Sequence, residues 1–196
     1  MNNYVILVDK SDKEIGLLDK MEAHIKGELH RAFSIFVFNS DKKLLIHKRA
    51  SSKYHSGGLW TNTCCSHPQP GEEILISAHR RLIEEMGFDC ELKKIFSFTY
   101  KGHLDKGLIE NEIDHVFIGE FNGQPEPNPE EIEDYIWIAP TEVINDIKQN
   151  PNKYSYWFKI AIRKVMKYID NIEKTNQKTA KYNIAFPFPF PGRGRG

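Results

Sequence analysis

At 196 residues, of which 40% are hydrophobic and 12% aromatic, the chain has enough apolar material for one hydrophobic core and too little for two. Its 27 basic and 27 acidic residues give a formal net charge of zero, which argues against nucleic acid or an anionic membrane as a partner. Any anion should therefore be bound by a local group of cations. No apolar run has the length of a membrane span, and three cysteines form a poor disulfide framework, which predicts a cytoplasmic protein.

The first half of the chain is predicted to hold a hairpin and then a long loop. Apolar runs at residues 32–38 and 44–47 flank the turn-forming stretch 39–42, a pattern typical of two antiparallel strands. Glycines and prolines spread over residues 51–71 predict an irregular loop. Long loops on rigid scaffolds often carry binding or catalytic residues, so we expect chemistry there.

The second half is predicted to combine helices and strands. Apolar residues at spacings of three and four predict a helix over residues 72–86, which Gly87 ends as a left-handed cap. Thr141 is predicted to cap a second helix that stops at Asn150, and a last helix is expected from about Tyr156 to Ile169. Further strands are expected at 95–100, 114–121 and 135–138, with a loop at 124–129.

The chain is expected to form one domain, residues 1–170, followed by a tail. Beyond residue 170 the hydrophobic density falls, and the sequence ends in a Phe-Pro alternation at 186–191 and Gly-Arg repeats. We therefore expect residues 171–196 to be a disordered, low-complexity tail. The Phe-Pro segment could instead dock on a partner or on the domain itself.

Residues 60–68, Trp-Thr-Asn-Thr-Cys-Cys-Ser-His-Pro, lie inside the predicted loop. Two adjacent cysteines beside a histidine are compatible with a metal site, a disulfide, a redox pair or a nucleophile. Since Cys90 is the one other cysteine in the sequence, a disulfide is the weakest of these interpretations. The residues alone leave the other three open.

The predicted helix after this loop carries a charged face. Arg81 and Glu85 lie one turn apart, a spacing common for ion pairs on solvated helices. The wider register from Ser66, Ser-x5-Glu-x7-Arg-Arg-Leu-Ile-Glu-Glu-Met-Gly-Phe, resembles the Nudix box, Gly-x5-Glu-x7-Arg-Glu-U-x-Glu-Glu-x-Gly-U with U apolar. Ser66 replaces its first glycine and Arg81 replaces a glutamate. Because a guanidinium clamps phosphate and is no metal ligand, the altered box indicates a site that holds a diphosphate without cleaving it.

Histidines and carboxylates suited to a divalent ion are spread along the sequence: His24, His30, His67, Glu110 and Glu112. If residues 110–112 form a strand, both glutamates project from the same face, as two ligands of one ion require. Three imidazoles with two carboxylates suit a six-coordinate first-row ion or Mg²⁺ better than a closed tetrahedral zinc site. The other histidines are expected to be structural or solvent-facing: His47, His55, His79, His103 and His115.

Four segments together resemble the type 1 isopentenyl-diphosphate delta-isomerases of the Nudix superfamily. They are Leu-His-Arg-Ala-Phe-Ser at 29–34, the stretch at 60–68, the altered box at 66–88 and Glu-Asn-Glu at 110–112. The resemblance covers residues 4–169. It implies an α/β (α+β) Nudix-like sandwich, with mixed β-sheets flanked by helices. It also implies the reversible 1,3-allylic conversion of isopentenyl diphosphate to dimethylallyl diphosphate for isoprenoid synthesis.

The resemblance also implies roles for individual residues. Cys65, two residues before His67, takes the place of the catalytic cysteine, and Glu112 takes that of the catalytic glutamate. Tyr100 matches an aromatic residue next to the hydrocarbon end of the substrate and could pass a proton from Glu112. One divalent ion, Mn²⁺, Mg²⁺ or Zn²⁺, is expected in the His3Glu2 site, and a substrate-borne Mg²⁺ is expected at Glu85. The substrate-binding residues implied in this way are Lys20, Arg49, Lys53, Arg81 and Trp157.

Two other functions remain open at the level of sequence. A Nudix hydrolase of a nucleoside or related diphosphate would need the glutamate that Arg81 replaces. A catalytically silent module that binds metal or diphosphate would be favoured by replacement of Cys65 or Glu112, and both are present. In all three cases the expected partner is a small diphosphate, and we expect the chain to be a monomer or a weak dimer.

Overall fold

The structure, a computed structural model, describes residues 3–180 as nine strands and four α-helices. The strands are β1 (Tyr4–Val8), β2 (Glu14–Asp19), β3 (His30–Phe38), β4 (Leu44–Arg49), β5 (Trp60–Thr61), β6 (Cys64–Ser66), β7 (Leu92–His103), β8 (Ile109–Glu120) and β9 (Ile132–Ile138). The helices are α1 (Lys20–Lys26), α2 (Ile74–Met86), α3 (Pro140–Gln149) and α4 (Tyr156–Ala180).

All nine strands are hydrogen-bonded into one mixed sheet in which β3 is central. β3 pairs in parallel with β8 along its whole length and antiparallel with β6, while β7 continues the sheet beyond β8. On the other side, β4 joins β3 at Phe38 and pairs with β5 and β9. The apolar run of β3 is buried on both faces, as is usual for a strand at the centre of a mixed α/β fold.

The sheet separates two hydrophobic cores. Phe36 of β3 packs beneath α4, against Phe158. Phe33 and Ile35 of the same strand point the other way and pack beneath α2, around Leu82. Because successive side chains alternate between the faces of a strand, β3 supplies both cores. The expected mixed sheet flanked by helices is confirmed.

Several predicted elements are confirmed, with small shifts of their ends. The hairpin of β3 and β4 turns at residues 39–42, and α2 ends at Gly87, whose φ of 74° is left-handed. The strands expected at 95–100, 114–121 and 135–138 are present as β7, β8 and β9. The segment 124–129 contains neither helix nor strand, as predicted.

Two local predictions are wrong, and three elements were not predicted. The loop expected at 51–71 contains β5 and β6, because residues 64–66 add to the edge of β3 by backbone pairing, which glycine and proline content does not reveal. Thr141 is not the cap of α3: Ala139 occupies that position, and Pro140 begins the helix, where its missing N–H costs nothing. The segments that form β1, β2 and α1 had no predicted structure.

The last helix was expected to end near Ile169, and α4 instead continues to Ala180. Residues 171–180 contain good helix formers and neither glycine nor proline, so the helix can extend beyond its apolar stripe. The Phe-Pro segment 186–191 and the Gly-Arg repeats lie outside the described residues. Among residues 3–180, no helix has the length and apolar character needed to cross a membrane.

Candidate functional site

The two adjacent cysteines lie in β6, which places them on opposite faces of the sheet. Cys64 is opposite Ile35 and is fully buried beneath α2. Cys65 is opposite Ser34, is only partly buried and lines a cavity on the α4 side. All three cysteines, Cys90 included, are free thiols.

The carboxylates Glu110 and Glu112 project from β8 into the same cavity. Their spacing of two residues on a strand gives both side chains one direction, as the sequence predicted. On the adjacent strand β7, Tyr100 lies directly opposite Glu112, and its hydroxyl donates a hydrogen bond of 2.5 Å to Glu112 Oε2. Burial, followed by the charge of Glu112, raises the pKa of Tyr100 well above its usual value, so the phenol stays protonated.

Three histidines converge on these carboxylates from separate elements. His24 lies on α1, whose first turn is capped by the Asp19 carboxylate. His30 begins β3, and His67 follows β6 on the side of the sheet that Cys65 faces. The Nε2 atoms of His30 and His67 lie 3.4 Å and 2.9 Å from Glu112 Oε1. His24 Nε2 lies 3.4 Å from Glu110 Oε2.

Backbone carbonyls fix the orientation of two of these rings. His24 Nδ1 lies 2.6 Å from the carbonyl of Lys20, and His30 Nδ1 lies 2.8 Å from the carbonyl of Glu28. Since a carbonyl can only accept, each Nδ1 carries the proton and each Nε2 keeps its lone pair. This arrangement is typical of histidines that ligate a metal through Nε2.

The carboxylates differ in their electrostatic environment. Burial, with the nearby charge of Glu112, raises the pKa of Glu110 well above its usual value. Burial also acts to raise the pKa of Glu112, but the neighbouring imidazoles of His30 and His67 outweigh burial, and the pKa lies well below the usual value. Burial lowers the pKa of His67 to about 3, so this imidazole is neutral near pH 7 and available as a ligand.

The donor set fits a divalent metal ion. One ligand atom from each of His24, His30, His67 and Glu112 lies within 4.8 Å of the others, and His24, His55 and Glu110 form a second such group. Several buried atoms have no hydrogen-bond partner within the described chain: His24 Nε2, His30 Nε2, His67 Nδ1 and Glu110 Oε2. Unpaired buried polar atoms are costly, and a cation among them would satisfy several lone pairs together. Imidazole and carboxylate donors are those that first-row divalent ions prefer.

The cavity beside this cluster has a volume of about 40 Å³, which leaves space for an ion or a few water molecules. Cys65, Tyr100 and Glu112 line it together with Trp157 of α4. Burial raises the pKa of Cys65 to about 12, despite the opposing charge of Arg49, so the thiol is protonated near neutral pH.

Trp157 and Arg49 form one wall of the cavity. The Arg49 guanidinium lies 5.3 Å from the centre of the Trp157 ring, within the range of a cation–π contact. Trp157 is 4% exposed and Arg49 is 8% exposed. Arg49 Nε has no hydrogen-bond partner among residues 3–180, which leaves a buried donor of a charged group directed at this region.

A wider groove of about 320 Å³ adjoins the cavity, and Lys20, Ser66 and His67 line both. Lys53 and Arg81 contribute further cations to the groove. The four predicted diphosphate-binding cations therefore line the cavity or the groove beside it: Lys20, Arg49, Lys53 and Arg81.

Two of these cations are paired with carboxylates. Lys53 forms a salt bridge with Glu131, while Arg81 contacts Glu85 at 2.5 Å and Glu131 at 3.4 Å. Glu85 is 4% exposed on α2, on the side of the sheet that contains Cys64, and burial raises its pKa. Glu85 does not line the cavity, so it lies apart from the His24–Glu112 cluster and next to the groove cation Arg81.

His55 was expected to be structural or solvent-facing, and the solvent-facing interpretation is wrong. It is 4% exposed and lines the cavity, with Nε2 3.4 Å from Glu110 Oε1. Its position in a glycine-containing loop gives no periodic signal, so the sequence could not place it near Glu110. The one sequence feature that could have drawn attention to it is its location two residues after Lys53, within the segment where chemistry was expected.

Comparisons with known proteins show the family of the chain. Residues 28–158 match the family profile of the NUDIX domain. The chain is 52% identical over 166 residues to "Isopentenyl-diphosphate Delta-isomerase 2" from Aromatoleum aromaticum, an alignment that covers 85% of this chain and 88% of that protein. It is 48% identical over 164 residues to "Isopentenyl-diphosphate Delta-isomerase" from Pectobacterium atrosepticum, with 84% and 92% covered.

Similar solved structures support the fold. The structure of DR0079 from Deinococcus radiodurans superposes with a TM-score of 0.70 at 17% identity, covering 82% of this chain and 98% of that one. The MutT protein from Methanosarcina mazei superposes with a TM-score of 0.56 at 15% identity, covering 76% and 95%. At these identities the likeness concerns the fold alone.

Proposed function

The chain belongs to the isopentenyl-diphosphate Delta-isomerases within the Nudix family, and we propose that Cys65 and Glu112 transfer the two protons by which it interconverts isopentenyl diphosphate and dimethylallyl diphosphate. The observation that carries the proposal is that both side chains line one cavity, which opens on a groove of cations.

The reaction needs one proton donor and one proton acceptor near a five-carbon chain. Protonation of the terminal alkene carbon gives a tertiary carbocation, and removal of a proton two carbons away leaves the internal double bond. One group gives a proton and the other takes one, so no redox partner is needed. Cys65 and Glu112 exchange these roles when the reaction runs in reverse.

Tyr100 has a positioning and proton-carrying role next to Glu112. Its hydroxyl donates to Glu112 Oε2, while His30 and His67 face Oε1. The two carboxylate oxygens are therefore engaged by different partners, which fixes the plane of the carboxylate. A proton on Glu112 can reach the cavity through Oε2 or through the Tyr100 hydroxyl.

The proposed metal ligands are His24, His30, His67, Glu110 and Glu112, with Mn²⁺, Mg²⁺ or Zn²⁺ as the ion. When bound, a divalent ion withdraws charge from the Glu112 carboxylate and compensates the burial of two neighbouring glutamates. Glu85 is proposed to hold a second, substrate-borne Mg²⁺, and its carboxylate lies next to the groove through its contact with Arg81.

The diphosphate is proposed to bind to Lys20, Arg49, Lys53 and Arg81. Charge-assisted contacts to phosphate oxygens anchor the part of the substrate that does not react, and this binding energy can hold the alkene between the catalytic groups. Trp157 is proposed to face the hydrocarbon and to stabilise the carbocation through its ring, an interaction of about 2 kcal/mol when desolvated. Trp157 lines the cavity together with Cys65 and Glu112, which supports this role.

One experiment separates this function from hydrolysis. Purified protein is incubated with isopentenyl diphosphate and Mg²⁺ in D₂O, and the products are followed by NMR, with free phosphate measured in parallel. The isomerase predicts dimethylallyl diphosphate that carries deuterium at the new methyl group and releases no phosphate. Phosphate without the isomer would identify a hydrolase instead, and the absence of both products would indicate a silent binding module.

The cytoplasmic location and the monomeric or weakly dimeric state belong to this proposal as predictions. Three free thiols, one of them proposed to be catalytic, support a reducing compartment. The neutral formal charge supports the proposed lack of nucleic-acid and membrane partners.

A further inference from the structure

We propose that His55 is a positioning residue of the metal centre: its Nε2 holds Glu110 by Oε1 and so directs Glu110 Oε2 towards the ion. This inference rests on the metal centre proposed above, and it adds a fourth histidine that acts through a ligand rather than as one.

The two oxygens of Glu110 face different histidines. Oε1 lies 3.4 Å from His55 Nε2, and Oε2 lies 3.4 Å from His24 Nε2. Oε2 is buried without a hydrogen-bond partner within the described chain, and so is His24 Nε2. The proton of the neutral His24 ring is on Nδ1, which donates a hydrogen bond to the Lys20 carbonyl. His24 Nε2 therefore has no proton to donate to Glu110 Oε2. When Glu110 is ionised, its Oε2 and His24 Nε2 are two facing acceptors, which repel each other unless a cation lies between them. The other oxygen, Oε1, is the one that His55 Nε2 faces.

The His55 ring is held in place on several sides. It packs edge-on against Tyr54 at 4.3 Å and against Trp157 at 5.8 Å between ring centres. The His24 ring stacks on it at 5.6 Å, with 28° between the planes. A buried imidazole confined in this way has few alternative rotamers, so its Nε2 stays directed at Glu110.

The backbone around His55 is also fixed. Ser56 has a φ of 51°, which is unusual for a residue with a side chain, and its N–H donates to Asp105 Oδ1 at 3.0 Å. A Cβ at Gly57 would lie 2.7 Å from the Ser51 carbonyl oxygen, so this position accepts only glycine without movement of the backbone. The Ser56 hydroxyl lies 3.2 Å from His55 Nδ1 and can act as acceptor or donor. These constraints on the backbone hold the His55 side chain in the cavity.

His55 fits a supporting role better than a direct one. One nitrogen of His55 lies within 4.8 Å of ligand atoms of both His24 and Glu110. His55 is not a member of the group of four ligand atoms from His24, His30, His67 and Glu112. One imidazole nitrogen cannot bind two ions, and His24 offers only Nε2, so the two groups describe one centre and not two. Residues that orient a metal ligand by hydrogen bonding typically change metal affinity about 10- to 100-fold when they are replaced.

The test uses Co²⁺ as the probe, because its visible absorption reports coordination number and its affinity can be measured by competition with a chromophoric chelator. His55→Leu, which has no donor, is expected to bind Co²⁺ about 10- to 100-fold more weakly than the wild type. His55→Gln, whose amide can donate at the position of Nε2, is expected to stay much closer to the wild-type affinity. At saturation the spectra of both variants should match that of the wild type, since no ligand is lost. His103→Leu, the same change at an exposed histidine, is the control.

A double-mutant cycle tests whether His55 acts through Glu110. In a Glu110→Gln background, His55→Leu is expected to cause little further loss of Co²⁺ affinity. Full additivity, an affinity of His55→Leu equal to the wild type, or a changed spectrum of the saturated variant would each overturn the inference. Circular dichroism and thermal unfolding of the metal-free variants show whether the fold is intact. If the wild type itself bound no Co²⁺, the proposed metal centre would fall together with the inference; wild-type binding with an unaffected His55→Leu would overturn the inference alone.

Discussion

Cys64 and Cys65 are adjacent in the chain and lie on opposite faces of the sheet. Cys64 is part of the core beneath α2, and Cys65 lines the cavity that also contains Glu112. The pairing of β6 with β3 fixes this difference, because opposite neighbours in an antiparallel pair share a face. Of the two cysteines, Cys65 is therefore the one positioned to exchange a proton with a molecule in the cavity.

Replacing the two cysteines should separate activity from stability. Cys65→Ala removes a proposed proton-transfer group and is expected to lower kcat by about 10²- to 10⁴-fold. Cys64→Ala should keep kcat close to the wild type and lower the free energy of unfolding by about 1 kcal/mol, because it removes a fully buried sulfur. The NMR assay of isomer formation and urea unfolding measure the two effects. Normal turnover by Cys65→Ala would assign the proton transfer to another residue.

Arg81→Met should weaken substrate binding. A charge-assisted contact to phosphate contributes about 1.5–3 kcal/mol, so kcat/KM is expected to fall about 10- to 100-fold, mostly through KM. The change also leaves Glu85 buried without its 2.5 Å partner, so the free energy of unfolding should decrease. Arg163→Met removes an exposed guanidinium from α4 and is the matched control. An unchanged KM in Arg81→Met would contradict the proposed diphosphate site.

Removal of divalent ions should destabilise the protein. A ligand that binds only the folded state stabilises it by about 2.7 kcal/mol at a concentration of about 100 times Kd. After chelation and dialysis, the midpoint of thermal unfolding is therefore expected to decrease and to recover on addition of Mn²⁺, Mg²⁺ or Zn²⁺. In His24→Ala this ion-dependent shift should be smaller, since one proposed ligand is missing. Equal midpoints with and without added ion in the wild type would argue against a metal centre.

His47, remote in sequence from the proposed metal ligands, should make stability depend on pH. Burial, followed by the charge of Arg49, lowers the pKa of His47 to about 3 in the folded protein. In the unfolded chain the pKa of a histidine is about 6.5, so between about pH 6.5 and 3 the unfolded state takes up a proton that the folded state does not. Stability is therefore lost as the pH falls, by about 2 kcal/mol from this residue between pH 7 and pH 5.

The His47 contribution can be isolated by substitution. In His47→Asn the side-chain N–H can still donate to the Thr63 carbonyl, which lies 3.1 Å from His47 Nδ1, and the residue cannot titrate. The difference in unfolding free energy between wild type and variant should therefore shrink as the pH falls from 7 to 5. A difference that stays constant over this range would show that His47 does not titrate on unfolding as proposed.

Local sequence patterns were enough for the elements that depend on local forces. The apolar face of α2 and its C-terminal glycine cap were predicted because both depend only on residues close together in the sequence. The shared direction of Glu110 and Glu112 on β8 follows in the same way from their spacing, because side chains two residues apart on a strand point to one face. The replacement of a glutamate by Arg81 was also visible in the sequence, because it depends only on the register of the motif.

The tertiary structure decided which distant residues meet. β6 had no sequence signal of its own, because two or three residues become a strand only when another strand offers backbone groups to pair with, and this pairing separates Cys64 from Cys65. The proximity of His55 to Glu110 also depends on long-range contacts. An irregular loop has no sequence period, and the path of this one depends on contacts such as the Ser56–Asp105 hydrogen bond, which joins residues 49 positions apart. By itself the sequence determined the types of chemical group and the local elements that carry them, whereas their convergence on one cavity required long-range pairing and packing, which are not encoded in any single segment.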